Sequence, residues 1–221
     1  MKRLGVLGTF VLDTIRTRED EARGAPFRSW GGIAYSLAAA AAVRPEGWEV
    51  VPVCRVGRDV EEEARAFLAT LPGVRVGPGL RVVDEPNNRV ELRYLDAAHR
   101  DEHMSGGIGP WPWDELAPAV EGLDALYVNF ISGHELRLPD AERLRRAFSG
   151  PLYTDLHSLF LGPPGRGARE MRSLPEWERW SACFDTVQLN ERELGTLADA
   201  SDPAEAAERV LRAGPGLVLV T

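Results

Sequence analysis

Lysine is almost absent from this chain: Lys2 is the only one in 221 residues, and the other strongly basic side chains are all arginine. A P-loop needs a lysine on its phosphates, a protein kinase needs one on a core strand, and Schiff-base chemistry needs one as nucleophile. All three are excluded. Any phosphate bound here is bound by backbone amides, helix termini and arginine. There is no basic excess either. The formal net charge is −8, whereas a nucleic-acid surface carries surplus Lys and Arg, so no nucleic-acid partner is expected. No run of about 18 apolar residues occurs, so no membrane association is expected. The opening MKRLGVLGTF lacks the long apolar region and cleavage site of a secretory leader, which makes a cytoplasmic location the expectation. Cysteine is scarce: Cys54 and Cys183 fit no zinc or redox spacing and lie among apolar residues, as buried free thiols do.

What is present is an alternation of apolar runs and amphipathic stretches, the pattern of a parallel sheet covered by helices on both faces. Strands are expected at 3–9, 49–55, 124–130, 151–155, 184–189 and 216–221. Helices are expected at 32–43, 59–71, 113–121, 139–148, 168–182, 191–199 and 203–213, with start signals at Asp59, Pro139-Asp140 and Asp202-Pro203. Two stretches break the rhythm. Residues 14–30 are polar before a glycine pair, and 80–95 read as two strands flanking a Glu85-Pro86-Asn87 turn. Together, over about 14–30 and 80–105, they are expected to form a small β lid over the carboxyl ends of the main sheet.

Several side chains stand where chemistry is possible, each with a structural reading beside it. Asp13 follows an apolar strand pattern; it is either a turn former or a carboxylate accepting hydrogen bonds from vicinal hydroxyls. Gly31-Gly32 ahead of a helix makes a tight turn or lets the backbone approach a ligand, and Ser36 lies one turn further. Asn190 and Glu193 have the spacing of a capping box, and an acid beside a helix N-terminus also suits a Mg2+–phosphate group held through water. Asp155 and His157 end a strand, as a rim pair or with a structural histidine. The 162–167 loop, GPPGRG, is either a phosphate path or a plain connector. His99 and His103 have metal-like spacing without a third ligand, and Gly106-Gly107-Ile108-Gly109 follows no strand. Both are set aside.

In order, GVLGTFVLD, WGGIAYSLA, VCRVGRDVEEEARAFL, YTDLHSL and QLNERELGTL resemble the ribokinase family of carbohydrate and nucleoside kinases, of phosphofructokinase-B type. The resemblance implies one ribokinase-like domain over 1–221: a three-layer α/β/α fold with a mostly parallel central sheet and a small β lid. It implies ATP-dependent phosphorylation of a hydroxyl on a sugar, nucleoside or polyol, with ATP and Mg2+ as cofactors. The substrate side would comprise Asp13, Gly31, Gly32, Ser36 (where the family usually has Asn), Asn88 and Arg89. The Mg2+–phosphate side would comprise Asp155, His157 (again in place of Asn), Asn190 and Glu193, with no direct set of protein ligands to the metal. Gly57 and Asp59 match a further Gly-x-Asp element. The family's Gly-Ala-Gly-Asp segment, which supplies the anion hole and the catalytic base, has no counterpart. The base is therefore expected beyond Thr221, and the chain as given is expected to be a partial, inactive kinase. Competing expectations are a non-catalytic polyol-binding or regulatory protein of the same fold, and an unrelated doubly wound domain. A free lid edge makes a homodimer through the lid a further expectation.

Overall fold

The apolar run through Val6, Phe10 and Leu12 forms two strands in two different sheets, and glycine is the reason. In this computed structural model, which describes residues 1–16, 26–94, 100–161, 169–198 and 202–221, β1 (Lys2–Leu7) ends one residue before Gly8 and β2 (Phe10–Arg16) begins two residues after it. A Cβ on Gly8 would overlap Ile33 and stand 2.9 Å from the Asn129 carbonyl oxygen, so only glycine lets the backbone cross there.

The order continues with β3 (Phe27–Gly32), α1 (Ile33–Val43), β4 (Trp48–Gly57), α2 (Glu61–Ala69), β5 (Leu80–Val83), β6 (Arg89–Tyr94) and β7 (Arg100–Ser105). Next come α3 (Trp113–Val120), β8 (Ala125–Asn129), α4 (Leu138–Ala147), β9 (Leu152–Asp155) and α5 (Trp177–Ala182). The last elements are β10 (Thr186–Leu189), α6 (Glu191–Ala198), α7 (Pro203–Ala213) and β11 (Leu217–Val220). Of the stretches singled out in the sequence, 17–25 and 95–99 of the lid (His99 included) and the 162–167 loop lie outside the described residues.

Seven strands form a parallel sheet in the order β11-β10-β9-β8-β1-β4-β5. The chain steps one way from β1 through β4 to β5, and the other way from β8 to β11. Right-handed crossovers therefore put the helices of the two halves on opposite faces. Ile33, Leu37, Ala64 and Leu68 of α1 and α2 pack on Val6, Val50 and Cys54. Leu116, Leu144, Trp180, Leu194 and Val210, from α3 to α7, pack on Leu126, Val128, Leu152 and Val187. The result is three layers, α/β/α. The direction of stepping reverses between β1 and β8, and open parallel sheets bind their ligands at the carboxyl ends of strands flanking such a point. Burial makes both thiols inert, pushing Cys54 up to about 12 and Cys183 up to about 11. Among the described residues no helix is long and apolar enough to cross a membrane.

A second, four-stranded sheet has the order β3-β2-β6-β7. Its pairs β2–β3 and β6–β7 are antiparallel, while β2–β6 is parallel. Phe10 anchors it to the body, with its ring 4.6 Å from Trp30 and 5.8 Å from Phe67.

Three expectations need correction. The stretch 80–95 is not a hairpin: Leu80–Val83 is the edge strand of the main sheet, and Arg89–Tyr94 belongs to the second sheet. Asn87 decides this, because its buried side chain accepts from Gly57 N at 3.1 Å and donates to the Phe10 and Asn88 carbonyls at 3.0 and 2.9 Å. The turn therefore bridges two sheets instead of closing one pair. Secondly, of the helix expected at 168–182 only Trp177–Ala182 is helical among the described residues. Pro175 disfavours helix in the residue before it, and Glu176 enters α5 from a left-handed φ of 56°. Thirdly, Asp59 does not cap α2; its carboxylate accepts from Asn87 N at 3.0 Å and from Arg89 at 2.7 Å. Asp202 does cap α7, accepting from Ala204 N at 3.0 Å.

Candidate functional site

Asp13 lies inside β2 of the second sheet, not at the end of a main-sheet strand as its apolar lead-in suggests. Strand alternation turns Val11, Asp13 and Ile15 to one face, and the register sets Val11 opposite Gly31 and Asp13 opposite Ser29. The Asp13 carboxylate fills the space above Gly31, where any Cβ would overlap it. Gly32 is held at φ 61°, and a Cβ there would overlap the Thr9 carbonyl, so the second glycine is required on two counts. The pair ends β3 and starts α1.

This face of the second sheet forms one wall of a cleft of about 670 Å³, contributing Val11, Asp13, Ile15, Val90, Leu92 and Met104. The opposite wall includes Ile131, His157, Ser158 and Arg192 from the carboxyl-end loops of the main sheet and the start of α6, with Arg169 beside them. Among the described lining residues Asp13 is the only carboxylate. Arg169 is oriented by a buried turn. It donates to the Ser132 carbonyl at 2.6 Å. That turn is in turn tied down by Glu135, whose carboxylate accepts from Thr9 Oγ1 and Ser132 N at 2.6 Å and from Gly133 N at 3.0 Å.

At the rim, Asn190 and Glu193 form a reciprocal capping box: Glu193 N donates to Asn190 Oδ1 at 2.8 Å, and Asn190 N to Glu193 Oε2 at 2.9 Å. Glu193 is buried, and its second oxygen lies 3.3 Å from His157 Nδ1. Asp155 completes the group; the donor atoms of Asp155, His157 and Glu193 all lie within 4.8 Å of one another. Burial pushes the Asp155 carboxyl above the usual range; His157, by charge and by its backbone N–H, pulls it back, and Glu193 adds to the rise. His157 adopts φ 23°, a conformation uncommon outside glycine. Two carboxylates and an imidazole fit a divalent cation in donor chemistry.

Ser36 lies close to this rim. It accepts from Asn129 Nδ2 at 3.0 Å, leaving the buried Asn129 Oδ1 without a hydrogen-bond partner. In the β8–β9 register Asn129 stands directly opposite Asp155. Two expected substrate contacts sit elsewhere. The Asn88 amide is buried and spent on Ile108, donating to its carbonyl at 3.1 Å and accepting from its N–H at 3.2 Å. Arg89 alternates with Val90 on β6 and points away from the cleft into an ion pair with Asp59 at 2.7 Å. Three residues of this region carried no usable signal in the sequence: Asn129, Glu135 and Arg169. Each acts through a partner distant along the chain: Ser36, Thr9 and Ser132 respectively.

No protein-family profile and no curated protein matches the chain at a significant level. Solved structures do. A pyrophosphate-dependent kinase in the ribokinase family, in a sulfate complex, superposes with a TM-score of 0.79 at 20% identity, over 99% of this chain and 72% of that one. Ribokinase from Thermotoga maritima gives 0.70 at 16% identity, over 100% and 71%. Arabidopsis thaliana ribokinase, complexed with ribose and ATP, gives 0.67 at 17% identity, over 99% and 71%. The chain has the ribokinase fold. Within that fold, the four-stranded second sheet is the lid. The cleft between lid and main sheet holds Asp13 and Gly32 at one side and His157 at the other.

Proposed function

We propose that this chain belongs to the ribokinase family and binds a small polyhydroxylated molecule (a sugar, nucleoside or polyol) for phosphoryl transfer to one of its hydroxyls. One observation carries this reading: Asp13, set over Gly31 on the lid, shares a single cleft with His157, which contacts Glu193 of the capping box. The Asp13 carboxylate accepts from two adjacent hydroxyls, while Val11, Val90 and Leu92 pack on the carbon skeleton. Phosphoryl transfer depends mainly on positioning and charge neutralisation. Arg192 and the first turn of α6 suit the phosphates of the donor, ATP by the sequence resemblance. Asp155, His157 and Glu193 would hold a divalent cation, Mg2+ by the same resemblance, which neutralises phosphate charge when bound. The structural neighbours include a ribokinase complexed with ribose and ATP and a pyrophosphate-dependent kinase complexed with myo-inositol. Both donors therefore belong in the test.

The test is calorimetric titration of the chain with ribose, myo-inositol, adenosine and fructose, followed by a transfer assay with ATP and with pyrophosphate. Binding of at least one polyol that Asp13→Asn weakens at least tenfold is expected. Equal binding by both proteins would dismiss the cleft as the polyol site. A second reading, polyol binding without transfer, is favoured by one observation. With Asp13 the only carboxylate among the described lining residues, one group would have to grip hydroxyls and also accept the proton. Binding without turnover from either donor would select it.

A further inference from the structure

We propose that the rim cluster is a direct, inner-sphere cation site with an imidazole ligand, built from Asp155, His157 and Glu193, and that it prefers Mn2+ or Co2+ to Mg2+. This rests on the rim being the cation side of the cleft, and it adds ligand set and metal class. Mg2+ holds its water shell tightly and takes oxygen donors, so a site meant for it through water needs only carboxylates set back from the ion. Nitrogen donors shift preference toward the later first-row metals.

The side chains here fit the second case. Their three donor atoms converge to within 4.8 Å of one another, close to the spread of about 4 Å that a shared ion with bonds of about 2.1 Å imposes. Glu193 is held for the task from behind. Its Oε2 is committed to Asn190 N at 2.9 Å, so Oε1 is left facing His157. The His157 side chain is half exposed and can close the remaining gap.

A second observation is independent of the charged groups. Asn129 is buried (6% exposed) and donates its Nδ2 to Ser36, while its buried Oδ1 has no hydrogen-bond partner; in the register the residue stands beside Asp155. A buried amide oxygen without a donor is costly, and a cation is one group that satisfies it. Asn129 Oδ1 is assigned as the fourth donor or as the acceptor from a metal-bound water.

The test uses the chain stripped with chelator and titrated with MnCl2, CoCl2 and MgCl2 by calorimetry. Electron spin-echo measurements on the Mn2+ complex accompany it. Wild type should bind Mn2+ at least tenfold more tightly than Mg2+ and show nitrogen modulation from a histidine ligand. His157→Asn should abolish the modulation and bring Mn2+ affinity to within about threefold of that for Mg2+. Asn129→Asp should strengthen binding of all three ions. Absence of nitrogen modulation in wild type, or the same metal preference in wild type and His157→Asn, would overturn the proposal. Polyol titration of the same wild-type samples reports on the cleft separately, so a failed metal site with intact polyol binding leaves the functional reading standing.

Discussion

The carboxylate of Asp13 occupies the place where a side chain on Gly31 would begin. The two residues come from neighbouring antiparallel strands, two residues out of direct register and on the same face. The glycine is thus explained by the acid: position 31 is bare because the space above it is already filled by the group that faces the cleft.

Replacing Gly31 by alanine forces either the carboxylate or the strand to move. Overpacking of this kind costs about 1–3 kcal/mol. Gly31→Ala should lower the melting temperature and weaken polyol binding at least tenfold, as Asp13→Asn does. The double variant should bind no worse than either single one, because both act through one carboxylate. Additive losses in calorimetry would show that Gly31 contributes apart from Asp13.

Asn87 holds the lid to the main sheet. Its buried amide joins Gly57, Phe10 and Asn88; cutting it back strips the Gly57 N–H and the Phe10 carbonyl of this partner, while the Asn88 carbonyl keeps the Leu12 N–H at 3.1 Å. At roughly 1–3 kcal/mol for each buried group left unpaired, the two groups set the expectation that Asn87→Ala destabilises by at least about 2 kcal/mol in urea denaturation. A change below about 1 kcal/mol would mean that water replaces the amide and that the junction is held by the Phe10 ring cluster alone.

Acid should loosen the same junction. Burial alone would raise the Asp59 carboxyl, but the hydrogen bonds from Asn87 N–H and Arg89 outweigh it and hold the group below its ordinary value of 3.8. A carboxylate lowered on folding stabilises above the unfolded value, and that contribution is lost as pH falls through the folded one. The melting-temperature gap between wild type and Asp59→Asn should therefore be full at pH 7 and close progressively below 3.8. A gap independent of pH would assign Asp59 a packing role only.

Asp155 behaves in the opposite sense. Burial, with Glu193 nearby, raises its carboxyl above 3.8, so the folded state disfavours the ionised form at neutral pH. In chelator, Asp155→Asn should melt higher than wild type at pH 7, with the difference vanishing as pH falls toward 3.8. Such a trade of stability for a charged rim is common at functional sites. A variant that melts lower at pH 7 would make Asp155 a net structural contributor.

Much of this architecture is legible along the chain because its causes are local. The parallel-sheet rhythm follows from the alternation of apolar runs and amphipathic helices. The Asn190–Glu193 box is a three-residue spacing within one turn, and its two hydrogen bonds form as that spacing implies. Asp13 and the glycine pair stand out for the same reason, as local departures from a strand and at a helix start.

Other features are set by contacts between segments far apart in sequence, and no periodicity encodes them. The run from Val6 to Leu12 is apolar but for Gly8 and Thr9; it divides between two sheets because Ile33 and Asn129 crowd the backbone at Gly8. Leu80–Val83 and Arg89–Tyr94 look like two arms of one hairpin until Asn87 commits the turn between them to Gly57 and Phe10. The placement of β6 then turns Val90 into the cleft and Arg89 out of it, since alternation fixes only which residues share a face and never which face is inward. His157 and Glu193, 36 residues apart, meet because β9 and β10 pair in parallel and end on the same rim. Residue types and local spacings suffice to name the Asn190–Glu193 cap, but sheet pairing is what sets an imidazole beside its second oxygen.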